Sequence, residues 1–134
     1  MELHQLRSLF TESGLGLWWD DDGHPRLRNN QPFSSPSATA NYIQMVHGGQ
    51  VAVIRPEQYT PKAKDLFSRN GHYFVILEER FLVDPWSAWY SCINDDAVFD
   101  LKMPVALSYC INLYGHQKTW RRQGKDHSVL PSMS

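Results

Sequence analysis

The segment GHYFVILEERFLVDPW, residues 71–86, constrains this chain more than any other stretch. Two apolar runs, 72–77 and 80–84, are separated only by the polar break Glu78, Glu79 and Arg80. Runs joined so tightly predict adjacent antiparallel strands. Residues facing each other across such a pair share one face of the sheet. A loop centred on Glu78 would set His72 opposite Asp84 and Phe74 opposite Leu82. A two-residue loop at Glu78 and Glu79 would set His72 opposite Pro85 and turn Asp84 to the other face. A one-residue slip reverses every side chain, so the register decides whether imidazole and carboxylate can meet. The odd loop is the expected one, because all three residues of the break are polar. A carboxylate beside a histidine fixes its tautomer and stabilises its protonated form, as a general base requires. The other reading of the same residues is a core histidine followed by a turn-forming Asp-Pro.

The rest of the chain supplies elements to pack on that hairpin. Leu3, Leu6, Leu9 and Phe10 recur at helical spacing before Ser13-Gly14, which predicts a short amphipathic first helix. Asp22-Gly23 between LWW and RLR predicts a hairpin or broad turn. Ser35 is a good N-cap, Pro36 suits the first helical position and Gly48-Gly49 stops the pattern, so residues 36–47 are expected as a helix. QVAVIR reads as a strand, PKAKDLFSRNG as a short helix or turn, and AVFDL and PVALSYCINLY as further strands. The predicted class is α+β, an N-terminal and a central helix on a small antiparallel sheet. A chain of 134 residues holds one core; residues 1–116 are expected as a single domain and 117–134 as a polar tail.

Charge and cysteine usage exclude several function classes. Residues 1–100 carry eight Lys/Arg against thirteen Asp/Glu, and the remainder five against one. Lys118, Arg121, Arg122 and Lys125 make the tail mildly basic, well short of a nucleic-acid footprint. Cys92 and Cys110 lack the spacing of a redox or zinc pair, fit a reducing compartment, and read as small buried hydrophobes. His24, His47, His116 and His127 lack ligand spacing, so no metal or other cofactor is expected. No apolar run approaches the roughly 18 residues of a membrane span, and the first residues lack a signal peptide's apolar segment. The expected location is cytoplasmic, or a target cell's cytosol for an exported effector. Trp86 and Trp89, just after Asp84, read as walls of a substrate cleft or as core.

An acyl-transfer site also needs a nucleophile at a helix N-terminus, where the dipole favours an anion and backbone N–H groups can hold an oxyanion. The helix expected at 36–47 offers such an end. That order, a nucleophile at a helix start, a strand-initial His and an Asp in VDPW on the next strand, resembles the papain-like cysteine hydrolase superfamily. HYFVIL and FLVDP are similar to its His and Asp strands in the compact papain-fold toxins, several of which resemble protein glutamine deamidases, and in C39-type peptidases. The likeness spans about residues 31–86. It implies a papain-like fold, a protein or peptide substrate, His72 as base, Asp84 as its orienter and Gln31 as an oxyanion donor. This chain departs from that pattern with serine where the superfamily has cysteine. The superfamily's usual interval from Gln31 leads to Ser37, whereas the capping argument selects Ser35. A serine there is a natural loss of activity, a working nucleophile, or a substitution that silences the protein; Ser34, Ser35 and Ser37 also read as plain helix capping. The expected function is hydrolysis or deamidation of a protein or peptide amide. The rivals are a catalytically silent polypeptide-binding module and a small adaptor or immunity-type protein.

Overall fold

The computed structural model describes residues 2–9, 18–19, 25–26 and 35–123. Helix α1 spans Leu3–Leu9, and Trp18–Trp19 (β1) pairs antiparallel with Pro25–Arg26 (β2); the turn expected at Asp22-Gly23 lies outside the described residues. Helix α2 is Pro36–His47: Ser35 accepts a hydrogen bond from the Ala38 amide at 3.1 Å, Pro36 needs no donor partner in the first turn, and Gly48 ends the helix at φ +84°. Strand β3, Gln50–Ile54, follows at once. Thr60 caps α3, Pro61–Leu66. Strands β4, His72–Leu77, and β5, Phe81–Val83, form the hairpin; a π-helical turn, Trp86–Tyr90, leads to β6, Val98–Asp100.

Two expectations fail beyond this point. PVALSYCINLY is helix α4, Pro104–Tyr114, and not a strand. Its β-branched and aromatic content suggested a strand, but Ala106, Tyr109, Cys110, Leu113 and Tyr114 follow the i, i+3, i+4, i+7, i+8 spacing of one helix face. Cys110, Leu113 and Tyr114 are buried on that face, while Val105 is exposed. The chain also stays in the fold past residue 116. Trp120 is buried with its indole N–H on the Tyr114 carbonyl, and β7, Arg121–Arg122, pairs with β3. The boundary drawn at residue 117 therefore cuts through the sheet.

The main sheet runs β6-β5-β4-β3-β7, antiparallel at each pairing. Strand alternation divides its side chains between two cores. Val51, Val53, Val75, Leu77, Phe81, Val83 and Val98 face Leu6 of α1 and Ala40 and Ile43 of α2. Ala52, Ile54, Phe74, Ile76 and Leu82 face Ala63 of α3, Phe67, and Cys110, Leu113 and Tyr114 of α4. Fold class α+β is thus observed, with helices covering both faces.

The hairpin pairs Val75 with Val83, Ile76 with Leu82 and Leu77 with Phe81. The loop is odd, as expected, but centred on Glu79 rather than Glu78, so Phe74 faces Asp84 and not Leu82. A shift of two residues keeps parity, and His72 and Asp84 remain on one face as diagonal neighbours. Glu78 and Glu79 have φ values of +55° and +53°, and the Arg80 amide bonds the Leu77 carbonyl, a tight turn that takes positive φ twice without glycine.

Gly49 makes the opposite use of positive φ. At φ +87° a Cβ there would lie 2.8 Å from the Ile76 carbonyl oxygen and would overlap the Leu77 side chain. Gly49→Ala is expected to lower unfolding free energy by about 2–4 kcal/mol in urea titrations, through strain and overpacking together. Glu79→Gly should raise it by about 1 kcal/mol, because its ion pair with Arg122 is exposed and weak. A loss of stability in Glu79→Gly would show that the turn strain is compensated locally.

Candidate active site

Strand β4 begins with His72 and β5 ends one residue before Asp84, so the hairpin delivers both side chains to the same end of the sheet. His72 Nε2 lies 2.6 Å from Asp84 Oδ2, and both residues are buried, at 0% and 1% exposure. Nε2 faces an ionised acceptor and therefore carries the ring proton, which leaves the lone pair on Nδ1. Nδ1 is buried with no hydrogen-bond partner among the described residues. The ring lies flat on Phe67, at a centroid distance of 3.9 Å and an interplanar angle of 1°.

Asp84 is held by more than His72. Its Oδ1 accepts from the Ser87 amide at 3.3 Å, so Asp84 caps the turn that Pro85 starts. The catalytic and the turn-forming readings of Asp-Pro therefore describe the same side chain. Oδ2 also accepts from the Tyr114 hydroxyl at 2.7 Å. Tyr114 in turn accepts from Asn94 Nδ2 at 2.7 Å, and Asn94 Oδ1 accepts from the Tyr109 hydroxyl. Ser87 Oγ stands 3.2 Å from His72 Nε2.

These contacts decide the charge. Burial alone would push the Asp84 carboxyl up; the adjoining His72 and the hydrogen bonds from His72, Ser87 and Tyr114 outweigh it, and the carboxyl sits below its ordinary value. Burial, then the Asp84 charge, pushes the Tyr114 hydroxyl well above its ordinary value, so it stays a donor. Burial and the Asp84 charge likewise push the Cys110 thiol up to about 12, which makes it inert near neutral pH. Cys92, expected to be buried, is exposed.

The structure brings His72 and Asp84 together, and Ser35 caps α2 instead of bonding to them. Ser35 Oγ caps α2 and lies 3.2 Å from Ser37 Oγ; no hydrogen bond joins either serine to His72 or Asp84 among the described residues. His72 shares a sheet face with Ile54 and Phe74, against α3 and α4, whereas α2 packs on the other face. The chain reverses at Gly48-Gly49, so α2 runs back along β3 and its first turn lies toward the end where Ile54 pairs with His72. Contact between α2 and the turn at 86–90 agrees with that placement. Trp86 is half-buried, with its ring 6.2 Å from His72. Gln31 and the Trp89 side chain lie outside the described residues.

Sequence reasoning missed Phe67, Ser87, Asn94 and Tyr114. Helical periodicity in 106–114 would have found Tyr114; a lone asparagine in a loop carries no such signal. A cavity of about 540 Å³ lies away from His72, between α1 and α4, and Tyr109 reaches it. No group of three or more His, Cys, Asp or Glu side chains among the described residues is arranged for a metal ion, and no described helix is long and apolar enough to cross a membrane.

Compared with protein-family models, curated proteins and solved structures, the chain matches none.

A carboxyl held below its unfolded value of about 3.9 adds stability at higher pH that is lost as pH falls through that value and below. The native protein should therefore lose stability on acidification from pH 5 to pH 2, and Asp84→Asn should lose measurably less over the same interval. Urea midpoints at each pH give the comparison; equal slopes would assign the acid sensitivity elsewhere, with Asp100, also held low by Arg80, the first alternative.

Proposed function

We propose that this domain is a papain-like amide hydrolase or protein glutamine deamidase, silenced as written by serine at the nucleophile position. The observation that carries the reading is His72 itself: Nε2 anchored at 2.6 Å on a buried carboxylate, Nδ1 left with an unused lone pair. That is the arrangement of a general base, one nitrogen oriented and the other free to take a proton.

In the active form a thiol would stand at position 35, or at 37. Nδ1 takes its proton, the sulfur attacks the amide carbon, and the oxyanion is met by backbone N–H groups of the first α2 turn, with Gln31 as a further donor by resemblance. The C–N bond breaks as His72 returns the proton to the leaving nitrogen, which departs as ammonia from a glutamine or as an amine from a peptide. Water then attacks the thioester, giving its proton to His72, and the acid product and the thiol are released. A serine hydroxyl ionises far less readily than a thiol, so the same steps are strongly suppressed. The substrate is a protein or peptide amide, and an effector or toxin role suits the resemblance.

One observation favours a second reading. His72 is fully buried under Phe67, which suits a catalytically silent module that holds a polypeptide.

Ser35→Cys separates the two. The introduced thiol is expected to react with iodoacetamide at least ten times faster than Cys92, to stay reactive well below the roughly 8.5 of a free cysteine, and to slow when His72 is replaced by Ala. Ser37→Cys should respond less. Two ordinary thiols indifferent to His72→Ala would reject the hydrolase reading and favour the binding module.

A further inference from the structure

We propose that Tyr114 and Asn94 are positioning residues for His72, the inner links of a one-way chain of donors that ends on Asp84 and fixes which imidazole nitrogen keeps its lone pair. The proposal rests on the reading of His72 as a base, and its test is independent of any turnover.

The direction of the chain follows from a single charge. Asp84 has no proton to give, so the Tyr114 hydroxyl, 2.7 Å from Oδ2, must donate to it. The Tyr114 oxygen is then free to accept, and Asn94 presents Nδ2 at 2.7 Å. With its amino group so committed, Asn94 turns Oδ1 to the Tyr109 hydroxyl, which donates. Flipping the Asn94 amide would demand a second proton from Tyr114 and break the bond to Asp84. Each member thus has one consistent role, and the chain is unidirectional from Tyr109 to the carboxylate.

Asp84 Oδ2 is shared between Tyr114 and His72, and Oδ1 is tied to the Ser87 amide. The carboxylate cannot rotate without breaking a buried bond, so the imidazole is held at Nε2 and directed through Nδ1. Around this pair the titratable groups are Tyr114 and Cys110 of α4 and, farther off, Tyr109. Phe67 covers the ring face, Ile54 lies opposite on β3, and the buried residues of α2 are Thr39, Ala40 and Ile43. Among the described residues no lysine or arginine is bonded to Asp84, so the hydroxyl chain and the Ser87 amide are its neutral support.

The test is nuclear magnetic resonance of the full chain labelled with nitrogen-15. The native protein should show His72 in the Nε2–H form, with that proton far downfield. In Tyr114→Phe, Oδ2 loses its competing donor and becomes a stronger acceptor for His72 alone, so the proton should move further downfield. Tyr109→Phe, two links out at a half-buried site, should shift it the same way by a smaller amount and serves if Tyr114→Phe does not fold. In a Ser35→Cys background both changes should move the pH profile of thiol labelling, Tyr114→Phe the more. An unmoved Nε2 proton in both variants, with only the melting temperature lowered, would overturn the proposal and leave Tyr114 as packing. Thiol labelling indifferent to His72→Ala, alongside a shifted Nε2 proton, would reject the hydrolase reading and leave the donor chain standing.

Discussion

The structure is organised around one buried negative charge. Moving a carboxylate out of water costs several kcal/mol even after relaxation. Asp84 meets that cost with donors drawn from three places: His72 at the start of β4, Tyr114 at the end of α4, and the Ser87 amide in the turn after β5. No two come from one element, so the full set is in place only once the hairpin, the turn and α4 have docked. The loop at 93–94 is then tied down as well, because the Ile93 and Asn94 amides bond the Ser87 carbonyl and the Asn94 side chain reaches Tyr114. A polar requirement at one atom thereby orders the end of the sheet that apolar packing alone would leave underdetermined.

Against that background the lack of a partner for His72 Nδ1 among the described residues is informative. Buried acceptors normally find partners, and leaving one unmet costs about 1–3 kcal/mol. Asp84, beside it, meanwhile accepts from His72, Tyr114 and the Ser87 amide, so the missing bond is local to Nδ1. A core histidine selected for stability alone would gain from a hydroxyl or amide placed at Nδ1. A base would lose its function in the same exchange, so the proposed function leans on the unpaired atom more than on the His-Asp distance.

The hairpin and α2 were legible because their signals are local: alternation, a polar break, an N-cap serine before proline, a glycine pair. The register was legible only to its parity. Nothing in Glu78, Glu79 and Arg80 marks which is central, since the turn places two glutamates at positive φ where glycine or asparagine would have announced it. Helix α4 was misread because β-branched and aromatic residues outweighed a spacing that was present all along, and with it went Tyr114. Asn94 and Ser87 were invisible for a different reason. Their roles exist only after α4 and the turn have met, a tertiary fact that no short window of sequence contains. Trp120 and β7 were lost to a compositional boundary: basic residues suggested a tail, while the indole buried against Tyr114 holds that segment to the sheet.

Position 35 shows why the same helix end can serve two chemistries. The first turn of α2 presents unpaired amides and the positive end of a dipole, which favours any negative or electron-rich group placed there. A serine answers with a lone pair, accepting from the Ala38 amide beside the Ser37 hydroxyl, and that makes a good cap. A cysteine caps poorly, yet the same field draws its proton off near neutral pH, which it cannot do for a hydroxyl. Under the proposed function, the exchange of one atom would move the site from reactivity to helix stability while leaving His72 and Asp84 as they are. On this view the serine and the intact buried pair are not in conflict: the pair persists because Tyr114, Ser87 and the hairpin depend on Asp84, whether or not Nδ1 ever receives a proton.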